Sequence, residues 1–110
     1  MESSDAIAAL SALAQPTRLE CFRLLVRHEP EGLPAGELAR VLGVPANTLS
    51  AHLAILSHAG LVAGAREGRS IIYRASLERV SALTLFLLKD CCGGREELCA
   101  SLVAELAPCC

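Results

Sequence analysis

The cysteines of this 110-residue chain are concentrated near its C-terminal end. Five of the six fall in the last twenty residues: Cys91, Cys92, Cys99, Cys109 and Cys110. Thiolates are soft donors for soft metal ions, and clustered thiols also undergo redox chemistry. The N-terminus lacks the basic start and apolar core of a secretion signal, so metal binding or redox chemistry is favoured over a disulfide framework. No apolar run is long enough to span a membrane, and we expect a cytoplasmic protein.

Two amphipathic helical segments joined by a short turn occupy the middle of the chain. The first covers residues 37–42 and runs into Gly43; the second begins after Pro45 and stops at Gly60, which is expected to cap it in the left-handed conformation. Leucines at helical spacing give the second segment its apolar face: Leu49, Leu53 and Leu56. Such a pair is typical of a helix-turn-helix, in which the second helix enters the DNA major groove.

Two strand-like runs follow this helix pair. Residues 61–65 and 70–74 are the predicted strands, and residues 66–69 form a hairpin tip with Gly68 where a positive φ is needed. The charged residues of segment 34–75 are four arginines and two glutamates: Arg40, Arg66, Arg69, Arg74, Glu37 and Glu67. Four minus two leaves this segment at +2 in a chain of net charge −2, so the basic excess lies where DNA contact needs it.

Segments with helical patterns lie on both sides of segment 34–75. Residues 4–14 and 16–28 are the predicted helices before it, and residues 29–34 form a loop. Residues 76–89 and 95–106 are the predicted helices after it. The expected fold is mostly α with a small β-hairpin, in the order α-α-α-α-β-β-α-α, and the chain is short enough to form a single domain.

The apolar faces of these helices predict a core and a dimer interface. The first helix has Ser3 or Ser4 as its N-cap and an apolar stripe of Ile7, Leu10 and Leu13. The second is expected to face inward with Leu19, Phe22, Leu25 and Val26. Cys21 is interpreted as a small buried hydrophobe, and Arg18 as a solvated residue. The helix 76–89 is apolar over a wider face than a monomer leaves exposed, which favours a homodimer joined through the first and fifth helices.

Several short motifs occur in order along the chain. They are residues 12–19 (ALAQPTRL), 37–43 (ELARVLG), 48–53 (TLSAHL), 56–62 (LSHAGLV) and 66–69 (REGR) with Tyr73. In this order and at this spacing the chain resembles the ArsR/SmtB family of winged helix-turn-helix, metal-responsive transcriptional repressors. The resemblance implies a homodimer that binds double-stranded operator DNA with an inverted repeat and leaves it when a soft or borderline metal ion binds. Residues 34–75 would then bind DNA, and residues 76–110 would dimerise and sense.

The resemblance places the DNA contacts on the second helix of the pair, the recognition helix, and on the hairpin of residues 61–74, which is the wing of the family's fold. The predicted contact residues are Asn47, Thr48, Ser50 and His52 on the recognition helix and Arg66 and Arg69 on the wing. Asparagine hydrogen-bonds adenine edges, and wing arginines enter the minor groove or pair with phosphates. Ala46 and Ala51 stand where longer polar or basic side chains are common in the family, so base contacts are expected to be few.

The cysteines decide which inducer the resemblance implies. The third helix has no cysteine and the helix after the wing has no histidine, so the arsenite and zinc sites of other family members are absent. The cluster from Cys91 to Cys99 resembles the C-terminal site of another arsenic-responsive subset. Trivalent arsenic prefers three sulfurs, which Cys91, Cys92 and Cys99 supply if the chain bends at Gly93-Gly94. The expected ligand is As(III), as arsenite, or the similar Sb(III), as antimonite, with Cys109 and Cys110 auxiliary and no organic cofactor.

Other functions remain open from the sequence. Cys91 and Cys92 alone would suit methylated trivalent arsenic, and thiolates do not separate arsenic from cadmium or lead. If two of the cysteines form a disulfide on oxidation, the protein would be a thiol redox switch, released from DNA by peroxide and not by a metal ion. An enzyme such as a small thiol oxidoreductase is disfavoured, because the chain has no C-x-x-C on a βαβ pattern and no histidine near the cysteines in sequence. We therefore expect a regulator and not an enzyme.

Overall fold

The computed structural model of the chain describes residues 1–88, 100, 101, 104 and 105. The elements in chain order are α1 Ser3–Leu13, α2 Pro16–Arg27, β1 Leu33–Pro34, α3 Ala35–Leu42, α4 Ala46–His58, β2 Val62–Glu67, β3 Ser70–Ala75 and α5 Leu77–Leu88. This is the predicted winged helix-turn-helix, with one additional short strand. The predicted last helix, residues 95–106, lies outside the described residues except at 100, 101, 104 and 105, which are helical.

The start of α1 differs from the prediction. Its N-cap is Glu2 and not Ser3 or Ser4, and the Glu2 backbone N–H donates to the Asp5 carboxylate at 3.0 Å. A carboxylate in the first turn satisfies a free backbone N–H and interacts favourably with the positive end of the helix dipole. The helix therefore begins about one residue earlier than a serine cap would allow.

The buried face of α1 consists of small residues. Its buried positions are the alanines Ala6, Ala9 and Ala12, whereas Ile7 is 66% and Leu10 44% exposed. Alanines let α1 lie close to the rest of the protomer, so the predicted stripe of larger residues contributes little to the core, and only its Leu13 packs against the core. The bulky apolar face of α1 is thus left on the protomer surface.

The orientation of α2 also differs in part from the prediction. Phe22 and Leu25 are buried as expected, but Leu19 and Val26 are exposed. Cys21 and Leu24 take the inward positions instead, because they share one helix face with Leu25 at i, i+3 and i+4 spacing. The Gln15 side chain caps α2 by accepting a hydrogen bond from the Arg18 backbone at 2.8 Å, and Pro16 occupies the first turn.

The sheet has three antiparallel strands in the order β1-β3-β2. β2 and β3 form the predicted hairpin, with Ala65 opposite Ile72. β2 continues through Arg66 and Glu67, which the sequence assigns to the tip, because Glu67 pairs with Ser70, and the turn is residues 68–69 only. β1, which pairs Leu33 with Tyr73, lies in the segment 29–34 that the sequence predicts as a loop. Two residues that include a proline give no strand pattern in the sequence, and the strand exists only because β3 supplies its hydrogen-bonding partner.

The core lies between the helices and the inner face of the wing. Its largest fully buried side chains are Leu25, Leu38, Leu49, Leu53, Leu56 and Leu61. Three of these lie on α4 at the predicted spacing, so the packing that stabilises the protomer also fixes the rotation of α4 about its axis. Among the described helices, none combines the length and the apolarity that crossing a membrane requires.

A substitution at Gly32 tests how tightly the chain before β1 packs on β3. Gly32 has φ +74°, and a Cβ there would lie 2.4 Å from the Tyr73 carbonyl oxygen. We expect Gly32→Ala to lower the free energy of unfolding by at least about 2 kcal/mol, since left-handed strain and a backbone clash add. Gly36→Ala is the matched control, because Gly36 has no atom within 4 Å of a Cβ. Chemical denaturation at one protein concentration measures both, and equal stabilities would contradict this account.

Candidate nucleic-acid interface

The geometry of α3 and α4 presents one face of α4 outward. α3 ends at Leu42 and α4 begins at Ala46, so three residues, 43–45, join them. Leu49, Leu53 and Leu56 are buried against the core, which leaves the opposite side of α4 exposed. A helix exposed in this way after a short turn is positioned to enter a DNA major groove.

The first half of α4 carries the polar groups of this face. Asn47, Thr48 and Ser50 are exposed, as predicted, and Ala46 and Ala51 beside them are exposed without polar atoms. The Asn47 side-chain oxygen accepts a hydrogen bond from the Thr48 backbone N–H at 3.0 Å. Bidentate recognition of adenine uses that oxygen as well as the amide nitrogen, and the second lone pair of the oxygen is free to accept from the base.

His52 differs from the other predicted contact residues because it is only half exposed. Its Nδ1 lies 3.4 Å from a guanidinium nitrogen of Arg18, which reaches α4 from α2. Arg18 is therefore not the solvated residue that the sequence suggested. The sequence carries no signal for this contact, since the two residues are 34 positions apart and belong to separate helices.

The wing places two arginines at its exposed end. Arg66 lies near the end of β2, and Arg69 follows Gly68 in the turn. Arg69 lines a shallow cleft with Ala35 and Gly36, so the wing tip is close to the first turn of α3. Within the described residues, neither Arg66 nor Arg69 forms a salt bridge.

The other arginines of the module are paired with carboxylates. Arg40 forms an ion pair with Glu37 one turn away, and Arg74 donates to both carboxylate oxygens of Glu29, at 2.8 and 3.2 Å. The hydrogen bonds from Arg74 hold the pKa of Glu29 below its usual range. The salt bridges thus partly neutralise the positive charge of segment 34–75. Among the described residues, the arginines of this segment without a carboxylate partner are Arg66 and Arg69 of the wing.

The C-terminal end of α4 is fixed by α5. Gly60 has φ +79°, as predicted for a left-handed cap, and the Leu61 N–H bonds back to the Leu56 carbonyl at 3.0 Å. Arg79 of α5 donates from Nε to the Ala59 carbonyl at 3.2 Å and lies 3.7 Å from the Asp5 carboxylate of α1. A Cβ on Gly60 would lie 2.9 Å from Arg79 Nε. Arg79, which the sequence analysis did not single out, therefore links α5 and α1 to the recognition helix.

The thiols divide into one buried residue and a cluster outside the described part. Cys21 is fully buried, and desolvation raises its pKa to about 11, which keeps it a neutral thiol as the buried-hydrophobe prediction requires. The predicted ligands Cys91, Cys92 and Cys99, and the auxiliary Cys109 and Cys110, lie outside the described residues. Within residues 1–88 and the four helical positions beyond them, no three histidine, cysteine or carboxylate side chains are grouped as a metal site.

Comparison with known proteins identifies the same architecture. Residues 13–65 match the helix-turn-helix domain family HTH_20. The transcriptional regulator YgaV of Escherichia coli K12 is 33% identical over 90 residues, which are 82% of this chain and 89% of that protein. An ArsR-like transcriptional regulator from Rhodococcus sp. RHA1 superposes with a TM-score of 0.72 at 26% identity, over 94% of this chain and 93% of that one.

A second solved structure bears on assembly. The winged helix-turn-helix domain of Mb0332 from Mycobacterium bovis, described as homodimeric and as a possible ArsR-family regulator, superposes with a TM-score of 0.65 at 27% identity over 77% of each chain. The Rhodococcus structure, which covers 94% of this chain, extends the likeness well beyond the helix-turn-helix match of residues 13–65. The chain belongs to the ArsR/SmtB family of winged helix-turn-helix transcriptional regulators.

Proposed function

We propose that the protein is a homodimeric transcriptional repressor that binds operator DNA through α4 and the wing. The observation that carries this proposal is the exposed polar start of α4 beside a wing whose arginines Arg66 and Arg69 have no carboxylate partner among the described residues. Unpaired arginines release counterions from DNA phosphates on binding, whereas paired ones must first give up their partners. Membership of a family of winged helix-turn-helix transcriptional regulators supports DNA binding by α4 and the wing.

Exposed apolar surface on α1 and α5 supports the homodimer. Ile7 and Leu10 of α1 are exposed, and the exposed apolar side chains of α5 are Leu77, Leu85, Phe86, Leu87 and Leu88. α1 and α5 contact each other, so their outer faces form one surface too apolar for a free protomer. A two-fold dimer through this surface would space two recognition helices about one DNA turn, roughly 34 Å, apart. The matching operator is an inverted repeat.

The proposed inducer is trivalent arsenic, as arsenite, or the chemically similar trivalent antimony, as antimonite, bound by Cys91, Cys92 and Cys99. Support comes from the sequence, in which three soft donors follow α5 within a short distance, and from the burial of Cys21, which excludes it as a competing ligand. Cys91 is three residues beyond Leu88 of the dimer helix. Cys109 and Cys110 are assigned an auxiliary role.

The contacts of Arg79 suggest how a change at the cysteines reaches the DNA. Arg79 lies on α5 and hydrogen-bonds to Ala59 at the end of α4. A shift of α5 on metal binding would therefore move or release the end of the recognition helix and disturb the spacing of the two helices in the dimer. Coupling of this kind typically amounts to about 1–3 kcal/mol, a change of roughly 5–150-fold in operator affinity.

Operator binding by α4 is tested on a duplex selected from a random library with the wild-type protein. Asn47→Ala is expected to lower affinity by at least about fivefold and to relax the preference at individual base pairs, because a base contact is lost. Ser57→Ala, an exposed substitution in the last turn of the same helix, is the control and should leave affinity unchanged. Selection that yields no enriched duplex, or equal affinities for both variants, would contradict DNA recognition by α4.

The wing arginines give a separate prediction in the salt dependence of binding. Arg66→Gln and Arg69→Gln are each expected to weaken binding to all sequences about equally. Each should also flatten the slope of log affinity against log salt by about 0.9, the value for one phosphate contact. Arg40→Gln removes the same charge from a residue already paired with Glu37 and should change the slope much less. Slopes of the two wing variants equal to the wild-type slope would show that the wing does not contact phosphates.

A further inference from the structure

The contact between Arg18 and His52 joins the scaffold to the recognition helix. Arg18 is held at three points: its backbone N–H donates to Gln15 Oε1 at 2.8 Å, its Nε donates to the Ala12 carbonyl at 2.6 Å, and a terminal nitrogen lies 3.4 Å from His52 Nδ1. The first bond fixes the Arg18 backbone, and the second fixes its guanidinium near the turn between α1 and α2. The third contact then depends on where His52 places its ring.

The chemistry of the two side chains decides which imidazole nitrogen carries the proton. A guanidinium only donates hydrogen bonds and stays charged in proteins, so His52 Nδ1 must accept. A proton on Nδ1 would place the imidazole N–H against an N–H of the positively charged guanidinium, so that two donors would face each other. The proton of a neutral His52 therefore resides on Nε2, which is left as the only hydrogen-bond donor of the ring.

We propose that Arg18 is a positioning residue that holds His52 in the Nε2–H form, so that His52 offers the DNA a single donor. This inference rests on the DNA-binding function proposed above and names the partner atoms of His52. They are hydrogen-bond acceptors: a phosphate oxygen, purine N7, guanine O6 or thymine O4. The amino groups of cytosine and adenine are excluded, since they are donors themselves. Arg18 acts through His52 and need not touch DNA.

The first test determines which ring nitrogen of His52 carries the proton in the free protein, and it requires no operator. Long-range ¹H–¹⁵N spectra of the imidazole rings report which nitrogen is protonated, and His52→Gln identifies the His52 signals by their loss. We expect wild-type His52 to be Nε2–H and Arg18→Gln to contain a mixture of both forms. Arg23→Gln removes an exposed arginine from the same helix and is the control: its His52 should remain in the Nε2–H form. An Nδ1–H form in the wild type would overturn the proposal even if the Arg18 variant did not fold.

Operator affinity in a double-mutant cycle is the second test, on the selected duplex. Arg18→Gln is expected to lower affinity about tenfold in the wild type and less than twofold in the His52→Leu background, because the two residues act through one contact. Arg23→Gln should have the same small effect in both backgrounds. Additive losses from Arg18→Gln and His52→Leu would overturn the proposal while leaving DNA binding by α4 and the wing intact.

The DNA atom is identified by modifying the duplex. Methylphosphonate linkages remove phosphate charge, 7-deazapurines remove N7, and 6-thioguanine and 4-thiothymine exchange O6 and O4 for sulfur, a weaker acceptor, with base pairing retained. At the contacted position, one of these changes should cost wild-type protein about tenfold in affinity and cost His52→Leu nothing further. His52→Gln retains an amide donor at a similar reach and should stay within about threefold of wild type. If no acceptor substitution distinguishes wild type from His52→Leu, His52 does not donate to DNA and the proposal fails.

Discussion

Leu85→Glu is expected to convert the protein to a monomer and to lower its operator affinity by about 10²–10⁴-fold. Leu85 is 68% exposed in the protomer, so a charge there leaves the core intact but would have to be buried unpaired in the proposed interface. Two linked recognition helices gain affinity over one by about that factor, because the second half-site is bound from a high effective concentration. The loss should therefore follow from dissociation and not from unfolding.

The matched control for Leu85 is another exposed leucine of the same protomer. Leu19 lies on α2, which is not one of the two helices of the proposed interface, and Leu19→Glu should remain dimeric. Sedimentation equilibrium measures the oligomeric state, and fluorescence anisotropy measures binding to the selected duplex. A dimeric Leu85→Glu protein would place the interface elsewhere, and a monomer of undiminished affinity would contradict operator binding by a two-fold dimer.

Serine substitutions at the clustered cysteines are expected to separate DNA binding from release. Cys91→Ser, Cys92→Ser and Cys99→Ser should each bind the operator as tightly as the wild type but lose the roughly 5–150-fold drop in affinity on arsenite addition. Serine is nearly isosteric with cysteine, yet its hydroxyl is a hard donor that does not replace a thiolate toward a soft ion. Operator anisotropy with and without arsenite, under reducing conditions, measures the effect.

Cys21→Ala is the control for these serine variants. Because Cys21 is buried and its raised pKa keeps the thiol protonated, the variant should retain the full arsenite response. A Cys99→Ser protein that still responds would indicate a methylated trivalent arsenic site on Cys91 and Cys92. Release by peroxide, or by cadmium or lead and not arsenite, would replace the arsenic site by a redox switch or another soft-metal site.

The recognition helix and the wing could be predicted from the sequence because their signals are local. Gly43 and Gly60 mark the ends of two helices, and the leucines of α4 fix its buried face within four turns. Cys21 was also correctly interpreted, since a small apolar side chain within an apolar helix has few other roles. In each case the residues that carry the signal are the residues that form the element.

The features that the sequence did not predict depend on contacts between distant segments. β1 forms because Tyr73 pairs with Leu33, and Arg79 reaches Ala59 from α5 across twenty positions. The exposure of Ile7 likewise depends on how closely the alanine face of α1 packs against its neighbours. Hydrophobic periodicity reports that a helix has an apolar face, but it does not say whether that face is buried in the protomer or lies at its surface.

The distribution of charge illustrates the same limit. Counting charges along residues 34–75 gave four arginines equal weight, whereas the structure pairs Arg40 with Glu37 and Arg74 with Glu29. Glu29 lies outside the counted segment, so the count missed its effect. A basic segment therefore identifies the DNA-binding side of the chain, but the salt bridges determine that Arg66 and Arg69 supply most of its free charge.

The most direct test of the account is an arsenite titration of the reduced wild-type protein bound to its selected operator. Anisotropy would follow release while X-ray absorption at the arsenic edge counts the sulfur ligands in the same samples. The account predicts three sulfurs per arsenic, with release complete as the sites fill. Arsenic bound by three sulfurs while operator affinity stays unchanged would contradict it, as would release without arsenic–sulfur bonds.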